Sequence, residues 1–192
     1  DFLRKRVTKR NGPEATIFGS GPYAGKTLAQ VAADLNKPFE DVLIDDIGPN
    51  GASAAYFVMD EELQNRLLLD SLVMVCSDGS PTGRHPRGHG TFVRIIEKFV
   101  VEKQLLTIEE AVYKMTGLTA RSIGMNDRGI LAEGKKADIL IFDPNRVKET
   151  ATFEDPFQLA EGMAYVFVNG RLVIEHSEIS EYFYGRVLLI MN

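Results

Sequence analysis

The sequence predicts two joined pieces, an α/β part reaching to about residue 124 and an all-β part over residues 125–192. Three observations predict this. Between Ala54 and Val75 an apolar run, a capped helical pattern and a second apolar run follow at βαβ spacing, which implies parallel strands. From Gly129 the helical period gives way to short β-branched and aromatic runs. Among those runs, Asn169-Gly170 separates Tyr165–Val168 from Arg171–Ile174, and a type I′ hairpin turn favours that dipeptide because both central residues need positive φ.

Taken in order, Ala15 to Phe18 is a short strand closed by the turn residues Gly19-Ser20-Gly21-Pro22. Leu28, Val31, Ala32 and Leu35 then mark one face of a half-buried helix. Pro38 opens a second helix whose apolar face is Phe39, Val42, Leu43 and Ile47, and Gly48-Pro49 ends it. Ala54 to Met59 is a buried strand, and Asp60 caps a helix running to about Leu69. Leu72 to Val75 is the next strand. From Thr91 a helix carries Phe92, Ile95, Ile96, Phe99 and Val100 on one stripe. Thr107-x-x-Glu110 is a capping box for the helix after it, with Ile108, Ala111, Val112 and Met115 inward and Gly117 at its stop. Ile139–Phe142, bounded by Asp143-Pro144, and Arg186–Ile190 complete the β part. Neither piece is whole: a few parallel strands leave apolar edges open, and three or four antiparallel strands are part of a sandwich.

Length and charge narrow the function. A chain of 192 residues with 44% apolar content can bury one sizeable core and a smaller second one. The net charge is −5 and the basic residues are scattered apart from Arg4-Lys5-Arg6 and Lys9-Arg10, so a nucleic-acid partner is not expected. The single cysteine, Cys76, excludes an internal disulfide and suits a reducing, cytoplasmic setting. No apolar stretch reaches the ~20 residues of a membrane span, and no signal-peptide pattern opens the chain. Asp1 stands where an initiator methionine would, so a fragment or processed chain is expected.

Chemistry concentrates between Val73 and Phe92, VMVCSDGSPTGRHPRGHGTF. An apolar run breaks at Ser77-Asp78-Gly79 into a loop with two arginines and two of the three histidines. A carboxylate ending a buried strand needs a partner or a metal to offset desolvation, whereas a plain turn would use Asp78 for an Asx hydrogen bond. The residues alone leave both readings open. Arg87 has the planar fork that fits a carboxylate in two-point fashion, but a surface ion pair with Glu97 or another acid would equally occupy it, and Arg84 competes for the role. His85 and His89 would share a helical face, yet Pro86, Gly88 and Gly90 speak against a helix there, so backbone hydrogen bonds or substrate contact are favoured over metal ligation. His176 has no visible partner, and Cys76 reads as buried packing.

Ser77-Asp78-Gly79, His85-Pro86-Arg87 and Gly90-Thr91-Phe92, followed by the stretch Leu106 to Pro144, resemble the D-aminoacylases, the N-acyl-D-amino-acid deacylases of the amidohydrolase superfamily. The motifs occur in that family's order across roughly Gly25 to Leu188. The resemblance implies the last strands and helices of a (β/α)8 barrel over residues 1–124 and the C-terminal part of a small β-sandwich over 125–192. It implies metal-dependent hydrolysis of the amide in a small-molecule N-acyl-D-amino acid, with one or two divalent ions, typically Zn. Asp78 would lie beside the metal and act as general acid/base, Arg87 would hold the substrate carboxylate, and His85 would touch substrate. A homo-oligomer is compatible with it. The family's His-x-His pair and further ligands are missing, so the chain by itself is expected neither to bind the metal tightly nor to hydrolyse substrate.

Two other readings compete. A C-terminal module that has lost its catalytic half would persist as a scaffold or oligomerisation piece. Gly21-Pro-Tyr-Ala-Gly25-Lys26-Thr27 is similar to a phosphate-binding loop, but the first glycine that motif needs falls on Ser20, and Pro22 removes a backbone donor.

Overall fold

The computed structural model describes residues 1–80 and 82–188. A first group of elements packs around Val7, Phe18, Leu28, Val31 and Val42. It consists of α1 (Phe2–Thr8), β1 (Thr16–Phe18), α2 (Leu28–Leu35), α3 (Phe39–Asp41, continued by a π-helical stretch Val42–Ile47) and β2 (Ala54–Tyr56). Helix α2 starts where it does because Thr27 and Gln30 satisfy each other's backbone N–H groups in a capping box, and the helix buries Leu28 and Val31 completely.

The sheet in this region differs from expectation. β1 pairs antiparallel with β2, Ile17 opposite Ala55, and Leu72–Val75 belongs to no strand. The 72–75 backbone finds a helix instead of a strand: Val75 N donates to Lys114 O (3.3 Å), while Lys114 Nζ donates to Val73 O (3.0 Å) and to Asp70 O. A half-formed βαβ unit gives no parallel ladder, so its backbone groups pair where donors lie within reach. Cys76 is accordingly exposed and not the buried thiol expected of a covered strand.

A second group centres on Leu68, Ile95, Phe99, Leu106 and Ala111. Helix α4 (Glu61–Leu69) is capped by Asp60, whose Oδ1 accepts from Leu63 N at 2.8 Å. Helix α5 (Arg87–Arg94) continues as a π-helical stretch Ile95–Glu102, and α6 (Ile108–Met115) starts at the expected Thr107/Glu110 capping box. Two details depart from expectation. Val112 is exposed while Lys114 is buried, and Gly117 does not end α6 as a left-handed cap but opens α7 (Gly117–Ser122), where a Cβ would lie 3.0 Å from the Tyr113 ring.

The β part is a four-stranded antiparallel meander, β3 (Ile139–Phe142), β4 (Met163–Val168), β5 (Arg171–Glu175) and β6 (Glu178–Ile179) in that order. Asn169 (φ 50°) and Gly170 (φ 76°) make the expected hairpin turn. Val93 of α5 and Ile96 of its π-helical continuation cluster with Val147, and Phe142 of β3 and Met163 of β4 pack against them, which ties the meander to the helices. Residues 186–188 form no strand, and the rest of the strand expected at Arg186–Ile190 lies outside the described residues. Among the described residues no helix is long and apolar enough to cross a membrane.

Candidate active site

Asp78 sits at the tip of a tight turn. Ser77 Oγ accepts from Gly79 N at 3.1 Å, so the serine hydroxyl supplies the turn's side-chain hydrogen bond and Asp78 is not used for it. Asp78 itself takes φ +47°, a left-handed conformation that aspartate tolerates better than most residues. Its carboxylate is 82% exposed and meets Arg87 Nη2 at 3.0 Å. The side chain therefore projects from a turn and not from the end of a buried strand, and its partner is the guanidinium of the His-Pro-Arg sequence.

Arg87 is the first residue of α5. The helix runs through Gly88 and Gly90, contrary to the expectation that they and Pro86 would prevent it. Pro86 is tolerated because it precedes the first turn, where no intrahelical N–H is needed. The glycines serve close approach: a Cβ on Gly79 would lie 2.8 Å from Gly88 Cα, and one on Gly90 would lie 2.5 Å from Glu149 Oε1. The turn bearing Asp78 is thus pressed directly on the first turn of α5, which accounts for the Asp78–Arg87 pairing.

His85 Nδ1 accepts from Arg87 N at 3.1 Å, meeting one of the backbone donors that a helix start leaves without an intrahelical acceptor. Its ring stands edge-on to Phe153 with centroids 4.9 Å apart, and Phe153 stands edge-on to Phe57 at the same separation. Burial, then the Arg87 charge, push the His85 pKa below its ordinary 6.5, and the Asp78 carboxylate opposes them. A neutral ring is the form that can accept at Nδ1.

The rival Arg84 points elsewhere. Its Nη2 donates to Glu154 O (3.1 Å) and its guanidinium lies 5.7 Å from the centre of the Phe157 ring, against which His89 also stands edge-on. The structure therefore brings Asp78, Arg87 and His85 together and holds Arg84 and His89 apart from them. Glu97 accepts from Glu149 N and is not the partner of Arg87. His176 has a partner after all, the hydroxyl of Tyr165 at 3.1 Å. Sequence reasoning missed Glu149, Phe153 and Phe157. No periodic or motif signal marks them, because their partners Phe57, Arg84, His85, His89, Gly90 and Arg94 are distant in sequence.

The donors do not make up a metal site. Among the described residues no three His, Cys, Asp or Glu side chains converge. The Asp78 carboxylate is held by a cation, and the rings of His85 and His89 each lean on a phenylalanine.

This chain belongs to the amidohydrolase family, whose model matches residues 29–174. Within it, the similarity runs to the D-aminoacylase branch. An N-acyl-D-aspartate deacylase of Alcaligenes xylosoxydans xylosoxydans is 40% identical over 173 residues, covering 88% of this chain and 32% of the relative. A D-aminoacylase, solved to define the role of its binuclear metal centre, superposes with a TM-score of 0.77 at 37% identity over 87% of this chain and 36% of that one. The N-acyl-D-glutamate deacylase of Bordetella bronchiseptica, solved with zinc and a phosphonate mimic of the tetrahedral intermediate, gives a TM-score of 0.77 at 34% identity over the same shares. The chain spans about a third of the length of the curated relatives it matches. Over that span it has the D-aminoacylase fold, without a closed barrel among the described residues.

Proposed function

We propose that this chain is the C-terminal part of a metal-dependent N-acyl-D-amino-acid deacylase. Residues 1–124 supply the last strands and helices of a (β/α)8 barrel, and 125–192 the C-terminal part of a β-sandwich. One observation carries the reading: a carboxylate and a guanidinium are set side by side on a turn and a helix start, 3.0 Å apart, in a family of amide hydrolases. Hydrolysis of an N-acyl amino acid needs both groups. A guanidinium gives the substrate's carboxylate two parallel charge-assisted hydrogen bonds, and a carboxylate close by can accept the proton of the attacking water and return it to the departing nitrogen.

In this reading Arg87 binds the substrate carboxylate, Asp78 carries the proton, and His85 borders the substrate. The relatives act on N-acylated D-aspartate and D-glutamate or carry zinc, and a divalent ion is the cofactor we assign to the whole protein. Its remaining ligands would come from outside these residues, since the donors here fall short of a site. The isolated chain is then inactive.

The test is kinetic. In the full-length protein, Asp78→Asn should abolish most turnover of N-acyl-D-amino acids while leaving the circular dichroism spectrum and unfolding midpoint near wild type. Near-normal turnover in that variant would remove Asp78 from the chemistry. Absence of any hydrolysis by the metal-loaded wild-type protein, on N-acylated D-amino acids with acidic and apolar side chains, would sink the deacylase assignment itself.

A further inference from the structure

The loop from Glu149 to Ala160 is closed at its base and reaches back over the His-Pro-Arg sequence. Lys148 and Glu161 exchange both backbone hydrogen bonds (3.2 and 3.1 Å), and Thr150 Oγ1 donates to Leu159 O at 2.7 Å, which pins the two ends together. Pro156 is fully buried, Ala151 nearly so, and Thr152 and Asp155 bind one another through two 3.0 Å hydrogen bonds. Compact loops with pinned ends and internal packing of this kind act as rigid parts, not as slack connections.

From that rigid base the loop projects two phenylalanines onto the stretch Arg84–His89 that contains Arg87. Phe153 stands against His85, whose Nδ1 holds the Arg87 amide; Phe157 receives His89 on its edge and has the Arg84 guanidinium beside it. Arg84 also donates to the loop backbone at Glu154, and Gly90 lies against Glu149 at the loop's base.

We infer that this loop is a positioning strap: Phe153, acting through His85, fixes the first turn of α5 so that the Arg87 guanidinium is held where a substrate carboxylate must sit. Phe153 does not contact the reacting atoms. It sets the rotamer of His85, His85 sets the start of the helix, and the helix start sets Arg87. The inference rests on the assignment of Arg87 to the substrate carboxylate. It adds that the β part of the chain contributes to substrate recognition through a segment remote in sequence from the site.

Positioning of a carboxylate-binding group has a signature that general instability lacks. In the full-length enzyme, Phe153→Ala should raise KM about tenfold for an N-acyl-D-amino acid, with kcat changed less than about threefold. The corresponding N-acyl-D-amino-acid amide, which lacks the carboxylate, should show KM nearly unchanged, and Phe153→Tyr should restore the wild-type KM. An equal rise of KM on acid and amide overturns the inference, as does a folded Phe153→Ala enzyme with unaltered KM. If Phe153→Ala does not fold, Phe153→Leu replaces it: leucine fills the space without offering His85 an aromatic ring, and should raise KM about tenfold on the acid while leaving the amide nearly unchanged; an equal rise on both substrates, or none on the acid, overturns the inference. Hydrogen exchange gives a readout independent of activity. Phe153→Ala should speed exchange in residues 84–90 and not in α6, and unchanged protection of 84–90 overturns the strap even where the enzyme's substrate has been misassigned.

Discussion

Asp78 and Arg87 touch, yet the two segments that present them are built by opposite means. Arg87 stands on a helix whose start is held by a histidine acceptor, two glycines in close backbone contact, and a pinned loop bearing phenylalanines. Asp78 stands on a turn tied by one serine hydroxyl, after a segment with no strand partner and flanked by the exposed Leu72 and Cys76. The Arg87 side of the pair is completed within this chain. The Asp78 side is tied to it by the ion pair with Arg87 and follows a segment hung on Lys114. A carboxylate in that setting is not pre-organised by burial, so its placement must come from Arg87 and from whatever else surrounds it in the full protein.

Substitutions on the two sides should therefore fail in different kinetic parameters. The largest effect is expected at Asp78. Asp78→Asn in the full-length enzyme should lower kcat by about 10²–10⁴-fold, the usual worth of general acid/base catalysis, with KM little altered. Steady-state kinetics on one N-acyl-D-amino acid measures this, and an effect confined to a raised KM would place Asp78 with the binding group. Next comes Arg87→Lys. Lysine keeps the charge but loses the planar fork, so a loss of roughly 1.5–3 kcal/mol in carboxylate binding should raise KM about ten- to hundredfold. Equal loss on a substrate lacking the carboxylate would break the division of labour.

The third test concerns what supports the weaker side. Lys114 is 4% exposed, and its ammonium donates to the carbonyls of Asp70 and Val73, with no carboxylate partner among the described residues. Lys114→Met preserves the stem and strands two carbonyls, which should cost about 1–3 kcal/mol. Chemical denaturation of this chain would show it as a lowered midpoint, with exchange protection lost first over residues 70–75. A variant as stable as the wild type would mean that those carbonyls are satisfied by water.

The same contrast explains what could be read from the sequence. Local chemistry was legible wherever one short stretch supplies both partners: Asp60 at the head of α4, Thr107 with Glu110, and Asn169-Gly170 in the hairpin. Asp78 and Arg87 were legible as candidates only through the resemblance carried by Ser77-Asp78-Gly79 and His85-Pro86-Arg87, and their pairing was not legible at all. What failed depended on distant partners. A β-branched run at Leu72–Val75 reads as a strand, but a strand is made by its neighbour, and here the neighbour is the side chain and carbonyl of Lys114. Gly88 and Gly90 read as helix breakers, although backbone contact with Gly79 and crowding by Glu149 require glycine inside this helix. Phe153 and Phe157 gave no signal at all, since their role exists only once residues 149–160 fold back over the loop.

The smallest effect is a pH dependence confined to the Arg87 side. Burial and the Arg87 charge hold the folded-state pKa of His85 below 6.5, so in the range just under that value the unfolded chain binds more protons than the folded one. The sign follows: the His85 contribution to stability is fully present above pH 6.5 and is lost as pH falls through its lowered folded-state value. A protonated Nδ1 would also face the Arg87 N–H as a second donor, breaking the hydrogen bond that fixes the start of α5. Exchange protection of residues 84–90 should therefore weaken between about pH 7 and pH 5, while α6 keeps its own, and His85→Asn, whose acceptor cannot titrate, should flatten the dependence. A pH response shared equally by both regions would show that acid loosens the chain as a whole, and the anchored start of α5 would then owe nothing to the neutrality of one imidazole.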